Sequence, residues 1–181
     1  MDVKQAIQTR RAYRSLEQAK ITEDIIRDLA KSAQLTPSCF NNQPWRFVFV
    51  YESKKLAEVQ GALSRGNAWA KNGSMIVAVF SEQELDCTIK ERVYFQFDTG
   101  MATAFMMLRA TELGLVAHPI AGYKEETVKE ILNIPDEMQV ITMLVVGKFA
   151  ECTEQAKEER ERPERLGLDK FTFMNSYAEN T

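Results

Sequence analysis

With 181 residues, 45% of them apolar, the chain has enough material for one sizeable core without disulfides or structural metal, and one domain over 1–181 is the expectation. Its 26 acidic residues outnumber the 23 basic ones, and a net charge of -3 with a pI near 5.4 gives no reason to expect binding to nucleic acid or to an anionic membrane. Small molecules or another protein chain are the expected partners.

The chain opens on an amphipathic helical pattern, with Val3, Ala6 and Ile7 on one side, rather than on the apolar run of a signal peptide. No stretch has the apolar length of a membrane span. Thr22 is placed to cap a second helix, whose apolar residues Ile25, Ile26, Leu29 and Ala33 recur with the helical period, and Pro37 forces a loop after it. The runs Arg46 to Tyr51 and Met75 to Phe80 are rich in aromatic and β-branched residues and read as buried strands, with a short helix from Ser53 carrying Leu56, Val59 and Leu63 between them.

From about Asp86 to Leu113 the spacing of Val93, Phe97, Met101, Phe105 and Leu108 predicts the longest helix, too apolar to lie only on a surface. Gly100, Ala102 and Ala104 make it slim enough for close packing, in the core or at a subunit interface. A short strand, Leu115 to Pro119, then leads through a Gly122 turn to a helix with Val128, Ile131 and Leu132, and to a strong strand from Val140 to Val146. Helices and strands that interleave in this way argue for a sheet covered by helices on both faces. The end differs: a charged stretch from Glu151 to Arg165 precedes the apolar cluster Phe171, Phe173, Met174 and Tyr177, which needs a docking surface on its own domain or on a second subunit.

The cysteines Cys39, Cys87 and Cys152 are odd in number and unrelated in spacing, so neither a disulfide framework nor a metal site is expected, and a reducing cytoplasm fits best. Cys39 reads as an inert thiol. The lone His118 has no cluster of ligand residues at metal spacing and reads as structural.

Three segments carry the chemistry. In Arg10-Arg11-Ala12-Tyr13-Arg14, three guanidinium groups at a helix end match the oxygens of a phosphate, although a solvated basic helix terminus has the same composition. The loop Pro37-Ser38-Cys39-Phe40-Asn41-Asn42-Gln43-Pro44-Trp45 concentrates amides and a hydroxyl suited to a planar heterocycle, or to an ordinary turn. In Pro119-Ile120-Ala121-Gly122-Tyr123 the glycine lets backbone N–H groups approach a ligand, as it would also serve a plain strand-to-helix turn.

Together these segments resemble the nitroreductase family of flavoproteins. There an Arg-Arg-Ser-x-Arg-like motif, a Ser-x-x-Asn-x-Gln-Pro-Trp loop and a Pro-Ile-x-Gly turn build the FMN site in the same order, and the resemblance spans almost the whole chain. It implies an α+β fold: a three-layer α/β/α sandwich with a central mixed, largely antiparallel sheet, in a homodimer whose C-terminal tail, from about 150 to 181, crosses to the partner. It implies that Arg10 and Arg11 hold the phosphate and ribityl chain of FMN and that Arg14 reaches the pyrimidine edge, where a cation stabilises the charge that reduction brings. Ser38, Cys39, Phe40, Asn41 and Gln43 belong to the flavin loop, with Ser38 and Asn41 arriving from the partner subunit at an interfacial flavin. Pro119, Ile120, Ala121 and Gly122 form the turn whose N–H groups face the hydride-accepting edge. Arg162 and Arg165 complete the phosphate site, and Asn67 is a candidate for the substrate face.

Two residues depart from the pattern. Ala12 stands where serine is common, which removes a hydrogen bond worth about 1 kcal/mol. Ala121 stands where some nicotinamide-using members carry glutamate. The implied activity is ping-pong hydride transfer from NADH or NADPH to nitroaromatics, quinones or similar small acceptors, with the chemistry on the flavin, no catalytic side chain and no metal. The alternative in another class is an FMN-binding sensor, storage or delivery protein with little turnover.

Overall fold

The computed structural model describes residues 1–177, so the last four residues of the expected crossing tail lie outside the described residues. Helix α1 (Val3–Thr9) is started by Asp2, whose side chain accepts the Gln5 N–H while the Gln5 side chain returns the bond. A two-residue strand β1 (Leu16–Glu17) follows, and then α2 (Glu23–Gln34), capped by Thr22 as its sequence predicts. After the Ser38–Gln43 loop come β2 (Arg46–Val50), α3 (Ser53–Gly61), a 3-10 segment Arg65–Asn72 and β3 (Met75–Ser81).

The helix expected from Asp86 begins later. Residues Thr88–Ile89 and Arg92–Val93 form a small hairpin, β4 and β5, turned through Lys90 at a φ of 59°, and α4 runs Phe95–Glu112. The helical spacing starting at Val93 is real, but the side chain of Asp86 holds the Cys87 N–H and Cys87 is tied to another loop, so the chain is extended there. Gly114, at a φ of 74°, lets the chain leave α4 directly. Strand β6 (Val116–Ile120), α5 (Glu125–Leu132), β7 (Gln139–Phe149) and α6 (Glu154–Glu159) complete the order.

Long β7 organises the sheet. It pairs with β3 along one edge and with β6 and then β1 along the other, while β2 pairs with β3 and ends the sheet; every one of these pairings is antiparallel. Side chains of β3 and β7 alternate between two cores, as strand geometry requires. Ile76, Ala78, Met143 and Val145 meet α3 and α5 through Leu56, Val59 and Val128. Met75, Val77, Leu144 and Val146 meet α2 and α4 through Leu29, Ala33, Ala102, Met106 and Ala110. The expected α+β sandwich, with helices on both faces of a largely antiparallel sheet, is the fold.

Ala102, Met106 and Ala110 give α4 a narrow buried stripe, and its other side leaves Phe97 and Phe105 exposed. No helix among the described residues is long and apolar enough to cross a membrane.

Candidate functional site

The arginine cluster forms where α1 ends. Arg162, from the segment after α6, donates to the carbonyls of Gln8 and Arg10 and so caps the negative end of α1. Arg11 reaches back and donates to the carbonyls of Glu159, Arg160 and Glu161, with its guanidinium also over the Tyr13 ring. The carboxylate of Glu159 accepts the N–H groups of Arg14 and Ser15. These bonds fold the two basic segments together around a cleft of about 280 Å³ lined by Arg10, Arg11, Ala12, Tyr13, Pro163 and Arg165, with Glu158, Glu159 and Glu161 at its wall.

Among the described residues no hydrogen bond or ion pair engages the guanidinium groups of Arg10, Arg14 or Arg165. Burial first, and then the charges of Arg162, Arg165 and Arg11, lower the pKa of Arg10.

Strand β6, which leads into the Gly122 turn, is tied to this cluster. His118 is half-buried against Trp69, and its Nδ1 lies 3.1 Å from the carbonyl of Tyr13, so the basic segment is fastened to β6. Beyond Ile120 the chain leaves the sheet. The Gly122 carbonyl accepts from the Ser64 N–H and from the Asn67 side-chain amide, both at 2.9 Å, whereas the N–H groups of Ala121 and Gly122 donate to no acceptor among the described residues. A Cβ on Gly122 would crowd the side chains of Ser64 and Asn67, so glycine suits this close approach. Asn67, expected on the substrate face, is thus brought to the turn itself.

The Ser38–Gln43 loop lies apart, against the start of α4. Phe40, Asn41 and Gln43 all have positive φ, at 49°, 60° and 52°, and Phe40 is 83% exposed. Ser38 Oγ accepts the Gln43 N–H, and the Gln43 side chain donates to the Asn41 carbonyl. Asp98 Oδ2, in the first turn of α4, accepts the Cys39 N–H at 2.6 Å.

Here the sequence reading is corrected. Cys39 is not an inert free thiol but forms a disulfide with Cys87, which leaves Cys152 free and exposed. The sequence separation of 48 between the two cysteines carries no pattern; the sheet and the hairpin bring them together. Asp98 and Asp86 were also missed, because single acids in a helical or turn pattern have no distinguishing spacing. Among the described residues no hydrogen bond, ion pair or ring contact joins this loop to the arginine cluster or to the Gly122 turn.

The nitroreductase family model matches residues 7–68 and 58–148. An uncharacterised 15.4 kDa protein of Mycolicibacterium smegmatis is 33% identical over 124 residues, 65% of this chain and 81% of its own length. An Archaeoglobus fulgidus protein with the provisional name NADH dehydrogenase/NAD(P)H nitroreductase is 26% identical over 170 residues, 91% of this chain and 96% of its own length. A solved structure described as an oxidoreductase containing FMN is similar with a TM-score of 0.83 at 25% identity, covering 96% of this chain and 91% of that one.

Proposed function

The chain belongs to the nitroreductase family, and on that footing we propose that it is an FMN-dependent oxidoreductase that uses NADH or NADPH to reduce nitroaromatics, quinones or similar small acceptors in a ping-pong cycle. The observation that carries this reading is one juxtaposition: the guanidinium groups of Arg10, Arg14 and Arg165, without partners among the described residues, belong to a segment fastened to β6, which leads into a turn whose Ala121 and Gly122 N–H groups also have no partner among the described residues. A ligand with an anionic phosphate at one end and polar ring edges at the other satisfies both sets of donors. The FMN-containing similar structure supports the same ligand, and the provisional name of the Archaeoglobus relative supports a reduced nicotinamide as the electron donor.

In this reading Arg10, Arg11, Arg162 and Arg165 hold the phosphate end, directly or by fixing the segment that does. Arg14 places positive charge at the pyrimidine edge, and the Ala121 and Gly122 N–H groups orient the opposite ring edge. Asn67 fixes the turn through the Gly122 carbonyl and borders the acceptor. FMN held by these residues would supply the hydride chemistry between nicotinamide and acceptor. The protein's part is orientation, charge and exclusion of water.

The isolation of the Ser38–Gln43 loop from these residues supports a homodimer in which Ser38, Asn41 and their neighbours face the partner's arginine cluster. The exposed apolar residues Leu168, Phe171, Met174 and Tyr177 support a tail that crosses to that partner. The reading includes a cytoplasmic location, where reduced nicotinamides are made. Steady-state kinetics test the cycle: parallel double-reciprocal lines for nicotinamide and acceptor are expected, and intersecting lines would refute it.

A further inference from the structure

Between the end of α3 and the 3-10 segment Arg65–Asn72 lies a cavity of about 220 Å³ whose cations have no part in the roles above. Gln60, Ser64, Arg65, Asn67 and Lys71 line it, and no acidic side chain among the described residues does. Its two walls are fixed to each other, because the Gln60 side-chain amide donates to the Ala70 carbonyl at 3.1 Å. They are also fixed to the Gly122 turn. The Ser64 N–H and the Asn67 amide reach the Gly122 carbonyl, and the Lys124 N–H donates to the Ala62 carbonyl at 2.9 Å. The cavity therefore shares Ser64 and Asn67 with the support of that turn.

Arg65 and Lys71 are exposed, and neither makes a hydrogen bond or ion pair among the described residues. Two like charges in one cavity, without a counter-charge, repel each other and attract an anion. The arginine cleft differs, since Glu158, Glu159 and Glu161 stand at its wall and offset its charge. Among the substrates of the cycle above, nitroaromatics and quinones need carry no charge, whereas a reduced nicotinamide dinucleotide carries phosphates several bonds away from the ring that gives the hydride. A parallel βαβ unit with a glycine-rich turn is a common holder of such phosphates. Every strand pairing among the described residues is antiparallel, so no such unit is present there. The phosphates therefore need side-chain cations, set off from the ring site but joined to it.

We propose that Arg65 and Lys71 form the phosphate subsite for the reduced nicotinamide dinucleotide, an inference that rests on the oxidoreductase reading given above. The two cations pair with one phosphate group, either the 2′-phosphate of NADPH or the pyrophosphate that NADH and NADPH share, while the nicotinamide ring lies toward the Gly122 turn. The planar fork of Arg65 takes two phosphate oxygens, and Lys71 supplies a mobile point charge. Because both groups are exposed, the interaction weakens as salt rises.

The test compares the full-length protein, supplied with FMN, with a double variant carrying Arg65→Gln and Lys71→Gln. Isothermal titration calorimetry measures the binding of adenosine 2′,5′-bisphosphate and of ADP-ribose, which carry the phosphates without the reactive ring, and steady-state kinetics give KM for NADPH and NADH. The double variant is expected to bind at least about tenfold more weakly and to raise KM by a similar factor, with FMN affinity and the circular dichroism spectrum unchanged. A loss confined to adenosine 2′,5′-bisphosphate and NADPH assigns the cavity to the 2′-phosphate; a loss that includes ADP-ribose and NADH assigns it to the pyrophosphate. Lys31→Gln with Lys54→Gln removes the same charge from exposed positions outside the cavity and is expected to match the parent. An equal loss in that control, unchanged binding and KM in the cavity variant, or a parent that binds neither probe would each overturn the subsite, and in all three cases a flavin that bleaches with a nicotinamide leaves the reductase reading standing. A parent that binds the probes through Arg65 and Lys71 but never bleaches would refute the reductase reading and keep the phosphate subsite.

Discussion

The side-chain amide of Asn67 donates to the carbonyl of Gly122 at 2.9 Å, joining a 3-10 segment to the turn after β6 across 55 residues of sequence. That bond, with the Ser64 N–H on the same carbonyl, fixes the peptide after Gly122 and with it the turn that carries the Ala121 and Gly122 N–H groups. Asn67→Ala removes one of the two constraints. FMN binding, followed by quenching of flavin fluorescence, is expected to weaken about fivefold, equivalent to about 1 kcal/mol, while the fold remains intact.

Gly122→Ala acts through space instead. Its Cβ would crowd the Ser64 hydroxyl and the Asn67 side-chain amide, so these side chains or the turn must shift. A loss of about 1–3 kcal/mol in urea-induced unfolding is expected, with partial recovery when Ser64→Ala is added to remove the hydroxyl. Equal stabilities of the single and double variants would contradict the close approach.

Arg10→Gln separates ligand binding from stability. The charges of Arg162, Arg165 and Arg11 repel Arg10 in the ligand-free protein, so its removal is expected to leave the apoprotein's unfolding midpoint equal or higher. The same change is expected to weaken FMN by about tenfold or more, through loss of a charge-assisted phosphate contact. Paired denaturation and flavin titrations measure the two effects; a variant that loses stability and keeps FMN affinity would reassign Arg10 to a structural role.

Much of this was legible in the sequence where period and chemistry agree. The β-branched and aromatic run from Met75 to Phe80, the 3.6-residue spacing in α2 and the Thr22 cap each come from local rules, and the structure bears out the elements they predict. The Arg10 to Arg14 and Pro119 to Gly122 segments stood out because their residue types match a ligand's chemistry, and the fold brings these two together through His118 and Tyr13. What sequence does not encode locally was missed. The pairing of Cys39 with Cys87, the burial of Asp98 beside them and the hairpin at 88–93 depend on contacts between distant segments, and a helical spacing that starts at Val93 masks where the helix begins.

His118 gives a pH test. Burial first, then the charges of Arg14 and Arg10, hold its folded pKa below the ordinary 6.5, against the opposing Tyr13 carbonyl and Glu159. As pH falls below 6.5 the unfolded chain takes up the proton before the folded protein does. Its contribution to stability is therefore complete above 6.5, declines below it and levels off beneath the folded pKa. His118→Gln is expected to flatten that part of the stability profile, measured as urea midpoints above and below pH 6.5. An unchanged profile would show that the group does not titrate as described.

The C-terminal tail predicts an assembly result. A chain ended after Gly167 keeps Arg162 and Arg165 but loses the exposed Leu168, Phe171, Met174 and Tyr177. Light scattering is expected to show a dimer for the full chain and a weakened dimer or monomer for the shortened one, with FMN affinity falling in parallel. A shortened chain that dimerises and binds FMN as before would refute the crossing tail.

The central claim is that this chain binds FMN and that a reduced nicotinamide reduces it. The most direct test is to record the absorption spectrum of the purified protein with FMN bound and then to add NADH or NADPH in the absence of oxygen. The account predicts a yellow protein that bleaches within the turnover time of a reductase and regains its colour when a quinone or nitroaromatic is added. A bound flavin that stays yellow with both nicotinamides, or a protein that binds no FMN, would contradict it.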